Sequence, residues 1–422
     1  MAVEEDPSSF AFVYVLCVIF VGYVISLIGA KLYSPFWFHQ PVYHMYEVYP
    51  KLSFSKQPYW KKTRPPTNGI FCDTKHIVSS PMADMNNKVW GKVIHLIQGH
   101  YMDSEFVLNH MSMSTIKKKI YGSSYLSCFY EDKIMPPSFI ETLDTENLFG
   151  LLISRPLIVH FLNYPEKNTV LYEFMFVCVH EKYKKKNISR NLIQTHIYHQ
   201  YHHQKNPTQG YVFQKHTDLC KAIVPLVQYQ TYTFVLRDTY IRKLPRNYSI
   251  RCLNTTHIDL WRGIYAQILL QFNIALLPEF HFTLDWLKNE RYTIYVTVYR
   301  VENVEHVHGV YILENTHLSW ENESLEKPHM VRLAASVNFS RKRDRNDITL
   351  FFHGFLNCLH SFLLDNRKEI GILEIPCISD NDLLLSKWQE KYEMRNVIES
   401  AYYLYNLIYP SSPVRADTFI IL

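Results

Sequence analysis

Residues 10–30 read FAFVYVLCVIFVGYVISLIGA, an apolar run of 21 residues with no charged side chain. At ~1.5 Å rise per residue such a helix covers ~30 Å, the hydrocarbon thickness of a bilayer. A core helix of a soluble domain keeps a polar stripe, and this run has none. A secretory signal would begin with a basic region and end at a small-residue cleavage site. Here Glu4, Glu5 and Asp6 come first, so the run is expected to stay in the membrane as an anchor. Residues 1–9 then form a short acidic N-terminus, and residues 10–30 contact lipid. Lys31, Lys51, Lys56, Lys61, Lys62 and Arg64 follow the run. That excess of cations predicts a single-pass protein with its N-terminus outside and residues 31–422 facing the cytosol. Protease added to sealed vesicles with the cytosolic face outward is expected to digest the body.

The body has ample material for a core. Hydrophobic residues make up 47% of the chain and charged residues 20%, which excludes global disorder. With only 12 glycines in 422 residues, collagen-like and glycine-rich phosphate-loop architectures are excluded as well. High Tyr and Phe with low Gly suit an AT-rich genome, such as that of a large DNA virus. The net charge of +5 is too small to imply a nucleic-acid partner. The eight cysteines are scattered with no CxxC pair, consistent with free thiols in a reducing compartment.

Apolar spacing predicts two helices within 88–120 (Val89, Val93, Leu96, then Phe106, Leu108). Strands follow at 124–131, 147–154, 156–163 and 169–179, then a helix near 188–203. The second half repeats the pattern, with a helix near 258–272 and strands at 291–301, 307–314 and 330–339. A helix at 347–366 leads to a strand at 371–377, a helix at 381–391 and strands at 401–409 and 417–422. The expectation is a mixed α/β protein of two related halves, divided near 236–255.

The most informative segment is YEFMFVCVHEKYKKKNISRNLI, residues 172–193. An apolar strand runs into a basic turn, which opens a helix. Amides at a helix start, with Lys184, Lys185 and Lys186 beside them, suit a pyrophosphate. This segment resembles the glycylpeptide N-myristoyltransferase family, whose strand reads E-I-N-F-L-C-V-H before a basic turn. Glu173, Phe176, Cys178, Val179 and His180 match that strand. Phe36-Trp37 with Gln40-Pro41-Val42 resembles the family's F-W-x-x-Q-P-V opening, and Tyr402-Tyr403-Leu404-Tyr405-Asn406 its Y-Y-L-Y-N. The resemblance covers roughly residues 33–422.

The resemblance implies two acetyltransferase-like (GNAT) halves related by a pseudo-twofold axis. Residues 31–240 would bind acyl-CoA as co-substrate and residues 241–422 the peptide, with no permanent cofactor. Phe36 and Trp37 would pack on the CoA end. Lys184, Lys185, Lys186 and the amides of Asn187, Ile188 and Ser189 would take its phosphates. The main-chain N–H groups of Phe176 and Val177 would form an oxyanion hole. The carboxylate of Leu422, raised in pKa by burial among Phe419 and Ile420, would take the proton from the substrate amine. Tyr311, Tyr403 and Asn406 are expected to contact the peptide. The activity implied is transfer of a long acyl group, myristoyl, to the N-terminal glycine amine of a protein.

Departures set rivals beside that reading. Met175 stands where the family has Asn, and the family's glycine-rich segment before Y-Y-L-Y-N is absent from 391–396. A catalytically degenerate scaffold or acyl-protein binder, and an acyltransferase for another amine, are the alternatives. His196, His199 and His203 share a helix face and are expected to be surface histidines, not metal ligands. His306 and His308 are read the same way, and Cys178 as a buried core residue and not a nucleophile.

Overall fold

The computed structural model describes residues 7–62, 69–85, 87–101, 107–109, 111–130, 148–184, 186–203, 210–236, 241–288, 291–320, 328–340, 344–366 and 370–422. Its body is built on one large mixed sheet with helices on both faces. Two stretches of chain repeat the same unit. In the first, Leu148–Phe161 pairs antiparallel with Thr169–Val179, the helix Ile188–His203 crosses over, and Tyr211–His216 returns parallel to Thr169–Val179. In the second, Val304–Trp320 pairs antiparallel with His329–Asn338, Arg345–Asn366 crosses over, and Ile370–Pro376 returns parallel. Each returning strand then pairs with the other unit's continuation. Tyr211–His216 lies against Met394–Tyr405, and Ile370–Pro376 against Val227–Val235. Those two continuations pair with each other at the centre. The expected duplicated α/β fold is present, closed by reciprocal strand exchange.

Adjacent residues of a strand point to opposite faces, and the helices follow that parity. Leu151 and Ile153 pack with Val93, Leu96 and Ile97 of the helix Asn87–His100, while Leu152 packs with Ile188, Leu192 and Ile197 of Ile188–His203. The 169–179 strand breaks the parity once. Ile153 pairs with Phe176 but Ser154 with Phe174, which leaves Met175 as an extra, bulged residue. A bulge flips every later side chain. Phe174 therefore joins the cluster of Ile188–His203, whereas Phe176 and Cys178 join the opposite one. Burial pushes the Cys178 thiol up to about 12, and its Sγ reaches Leu96 O at 3.4 Å.

Several elements differ from the sequence reading. The two strands expected at 147–154 and 156–163 form one, Leu148–Phe161, because Arg155 stays in register as a cross-strand partner of Glu173. Leu108 lies in the short strand Val107–Asn109, paired with Leu318–Trp320, and not in a helix; Phe106 falls outside the described residues. The expected strand at 401–409 begins earlier, at Met394. Tyr211–His216, Val227–Val235 and Ile274–Leu277 are strands with no counterpart in the sequence reading. The helix 345–366 is long and apolar, but Phe351, Phe355, Leu356 and Leu359 pack into the core of the second unit. The helix Pro7–Tyr33 contains a stretch, Tyr14–Tyr33, that is long and apolar enough to cross a membrane.

His196 corrects the surface assignment. It is fully buried, with Nδ1 2.8 Å from Ser127 Oγ and Nε2 2.8 Å from Ser154 Oγ. Burial lowers its pKa to about 3, with His199 adding to the effect. The unfolded chain takes up this proton below about pH 6.5, while the folded chain refuses it until about pH 3. Stability is thus fully present above pH 6.5 and lost as pH falls through that window. This histidine alone is expected to cost about 2 kcal/mol between pH 7 and pH 5. Urea unfolding in detergent at the two pH values checks it, and His196→Gln is expected to flatten the dependence. His308 is likewise buried, with Nε2 2.8 Å from Asp347 Oδ1.

Candidate active site

The bulge sits where the sheet opens. Thr169–Val179 and Tyr211–His216 are paired only from Tyr172↔Tyr211 to Phe174↔Phe213. Beyond Phe174, among the described residues, no strand continues on that edge of residues 175–179. Met175 O accepts a hydrogen bond from the Tyr101 hydroxyl at 3.2 Å. Phe176 is buried, and Val177, 37% exposed, faces outward. A wedge of this kind leaves main chain available to a ligand in place of a strand partner.

One side of the wedge leads to the basic turn. Lys184, Lys186 and Asn187 are exposed, and Lys186 Nζ lies 4.5 Å from the centre of the Tyr183 ring. Lys185 falls outside the described residues. Asn187 has φ 59°, a left-handed turn that asparagine tolerates, and its carbonyl accepts from the amides of Arg190 and Asn191 at 3.0 and 3.2 Å. Ile188 is buried and anchors the helix start, whose first turn has no acidic residue. Trp37 stacks on Phe213 at 4.9 Å, and Phe213 on Tyr403 at 5.2 Å. Phe36 is buried against Trp37 and Phe71, so of the expected pair only Trp37 keeps a partly open face.

The other side opens into a cavity of about 150 Å³. Met175, Phe176, Gln214, His216, Tyr402 and Leu422 line it, together with seven charged side chains. The cations are Lys119, Arg155, Arg291 and Arg332; the anions are Glu173, Glu314 and Glu374. Arg155 Nε donates to Glu173 Oε2 at 2.6 Å. Glu314 receives Arg291 Nη2 at 3.0 Å, Lys119 at 3.4 Å and Arg332 Nη1 at 3.7 Å. Arg332 Nε donates to Glu374 Oε1 at 2.9 Å. Burial works to raise Glu314, yet Lys119, Arg291 and Arg332 hold it well below the usual carboxylate range. Burial brings Lys119 down to about 8 despite Glu314. His216 is lowered, first by burial and then by Arg332.

Leu422 arrives through the strand Phe419–Ile421, which pairs parallel with Ile274–Leu277, and its N–H donates to Leu276 O at 3.1 Å. Phe419 and Ile420 are fully buried, as their apolarity predicts. Its main-chain oxygen lies 3.5 Å from Arg155 Nη2. That contact places the Arg155 guanidinium, itself paired with Glu173, beside the last residue of the strand.

The three residues expected to contact the peptide each make contacts within the fold. Tyr311 is fully buried, stacked on Phe351 with its hydroxyl donating to Phe351 O at 2.6 Å. It is core and does not line the cavity. A Cβ on Gly354 would meet that hydroxyl at 2.6 Å. The Tyr403 hydroxyl accepts from Cys220 N at 3.1 Å. Asn406 clamps Lys62, accepting from its N–H at 2.8 Å and donating to its carbonyl at 3.0 Å.

No family model matches this chain, and no curated protein sequence does. Solved structures do. Saccharomyces cerevisiae N-myristoyltransferase with bound myristoyl-CoA superposes with a TM-score of 0.66 at 12% identity, over 91% of this chain and 94% of that one. A second structure of the yeast enzyme, with bound myristoyl-CoA and inhibitors, gives the same score and identity over 93% and 95%. The wedge, the bulge and the strand exchange thus belong to a chain with the N-myristoyltransferase fold.

Proposed function

We propose that this protein is a membrane-anchored acyltransferase that moves a long acyl group, myristoyl, from CoA to the N-terminal glycine amine of a protein. The observation that carries the reading is the bulged, splayed strand at Met175–Val177, open to a basic helix start on one side and to the Leu422 cavity on the other. Acyl-CoA is assigned to residues 31–240 and the acceptor to residues 241–422. Trp37 and the 184–189 turn hold the CoA. The N–H groups of Phe176 and Val177 receive the thioester oxygen. As the amine attacks the carbonyl carbon, a C–N bond forms and the oxygen gains charge, and an oxyanion donor is worth ~2.7–4 kcal/mol at that stage. The C–S bond then breaks and CoA leaves as its thiolate. The Leu422 carboxylate takes the amine proton, since only the free amine attacks. The helix Pro7–Tyr33 is taken to carry the membrane span, with the body in the cytosol.

A second reading, a catalytically degenerate membrane scaffold or acyl-protein binder, is favoured by the charges of the cavity. Those charges are largely paired with one another, Arg155 with Glu173, Arg291 with Glu314 and Arg332 with Glu374. Incubating the full-length protein with myristoyl-CoA and a library of glycine-start peptides, and reading product masses, separates the two. Acylated glycine peptides are the expected result. Binding of acyl-CoA with no product would leave the binder.

Replacing Lys184, Lys185 and Lys186 with Ala is expected to weaken acyl-CoA binding by about 1 kcal/mol for each lysine–phosphate hydrogen bond removed, and added salt to mimic part of the effect. Titration of acyl-CoA at low and high ionic strength checks this. Unchanged affinity in the triple variant would remove the turn from the site.

A further inference from the structure

We propose that residues 45–54 form a second membrane contact, seated in the headgroup layer of an anionic bilayer, so that the body rests on the membrane surface instead of hanging from a tether. The proposal rests on the reading of the N-terminal helix as a span. Tyr23 of that helix shares one cavity wall with Tyr46, Val48, Tyr49 and Tyr59. The helix runs from Pro7 to Tyr33, and a span needs ~20 residues. The earliest such window is 7–26 and the latest 14–33, and every one of them contains Tyr23. The early windows fit best: in 7–26 Tyr23 lies ~4.5 Å inside the cytosolic edge of the hydrocarbon, which sets the 46–49 segment packed beside it at the headgroup layer. The segment cannot stand off in bulk water.

Its surface chemistry fits that position. Met45, Val48, Tyr49, Leu52 and Phe54 are all exposed, with Phe54 completely so. Between residues 31 and 62 the chain carries five lysines and one acid, Glu47. Glu47 is ion-paired with Lys61, which leaves Lys31, Lys51, Lys56 and Lys62 as excess positive charge. Apolar side chains, tyrosines and lysines on one short segment are the composition of an interfacial contact with anionic lipid. Only Ser34 separates the end of the long helix from the helix Pro35–His39 that carries Trp37. Docking of 45–54 therefore holds the acyl-CoA half against the bilayer.

The test uses the full chain in nanodiscs of phosphatidylcholine with phosphatidylserine, carrying a photo-crosslinking phenylalanine analogue at one position at a time. Positions 20, 54 and 270 are compared; Leu270 is an exposed apolar residue of the body. Lipid adducts at 20 and at 54 are expected several-fold above those at 270. Adducts at 20 with position 54 no higher than 270 would overturn the second contact and leave the span standing. Absence of adducts at 20 would overturn the span, and the second contact with it. All three substituted side chains are exposed, so folding is not put at risk.

Discussion

Converting the Leu422 carboxylate to a primary amide by ligation is expected to lower acyl transfer by about 10²–10⁴-fold, the usual worth of a positioned proton acceptor. Acyl-CoA affinity should change little, because the 184–189 turn and Trp37 are untouched. A C-terminal extension should act in the same way. Deleting residues 420–422 is a poorer test than the sequence suggests. Ile420 is fully buried, and its strand pairs with Ile274–Leu277; removing it costs core burial of ~1.5–3 kcal/mol per large side chain as well as the carboxylate. Full activity in the amidated protein would take Leu422 out of the mechanism. His216, lowered by burial and Arg332, would then be the cavity imidazole left to accept a proton.

Glu314→Gln is expected to destabilise the fold by about 3–5 kcal/mol, the cost of leaving buried charge without its partner. Glu314 is the shared acceptor of Arg291, Lys119 and Arg332, and its side chain is 5% exposed. Removing its charge leaves three cations facing one another. Denaturant midpoints would reveal the destabilisation, and adding Lys119→Met to Glu314→Gln is expected to recover part of it. The solvent-exposed Arg415–Asp417 pair supplies the contrast: breaking it should change stability by no more than ~1 kcal/mol. Similar effects at the two sites would mean that the cavity is wetter and more adaptable than its geometry implies.

The duplicated α/β plan was legible because strand and helix periods repeat down the chain and the crossover helices are long. The bulge was not. Phe174, Phe176 and Cys178 are spaced by two, which reads as one unbroken face, yet the extra residue sends them to opposite layers. The charged cavity had a faint signal. Arg155, Glu314, Arg332 and Glu374 each interrupt an apolar strand, a position where a lone charge needs a buried partner. Which strands would bring them together depends on pairings far apart in sequence, and no local pattern encodes those. His196 misled for a related reason. Its helix is polar on average, but the serines that bury it belong to distant strands.

The reciprocal strand exchange has a consequence for how the chain can be cut. Tyr211–His216 finds its neighbour in Met394–Tyr405, and Ile274–Leu277 finds its own in Leu148–Phe161. A break in the connection between Val235 and Tyr248 would leave each piece with unpaired edges and half a sheet. Neither piece satisfies its own backbone, so each alone is a poor candidate for a stable fold. Mixed together, the two would make complementary fragments. Their assembly would follow mass action, and a reaction that is unimolecular in the intact chain would become dependent on concentration.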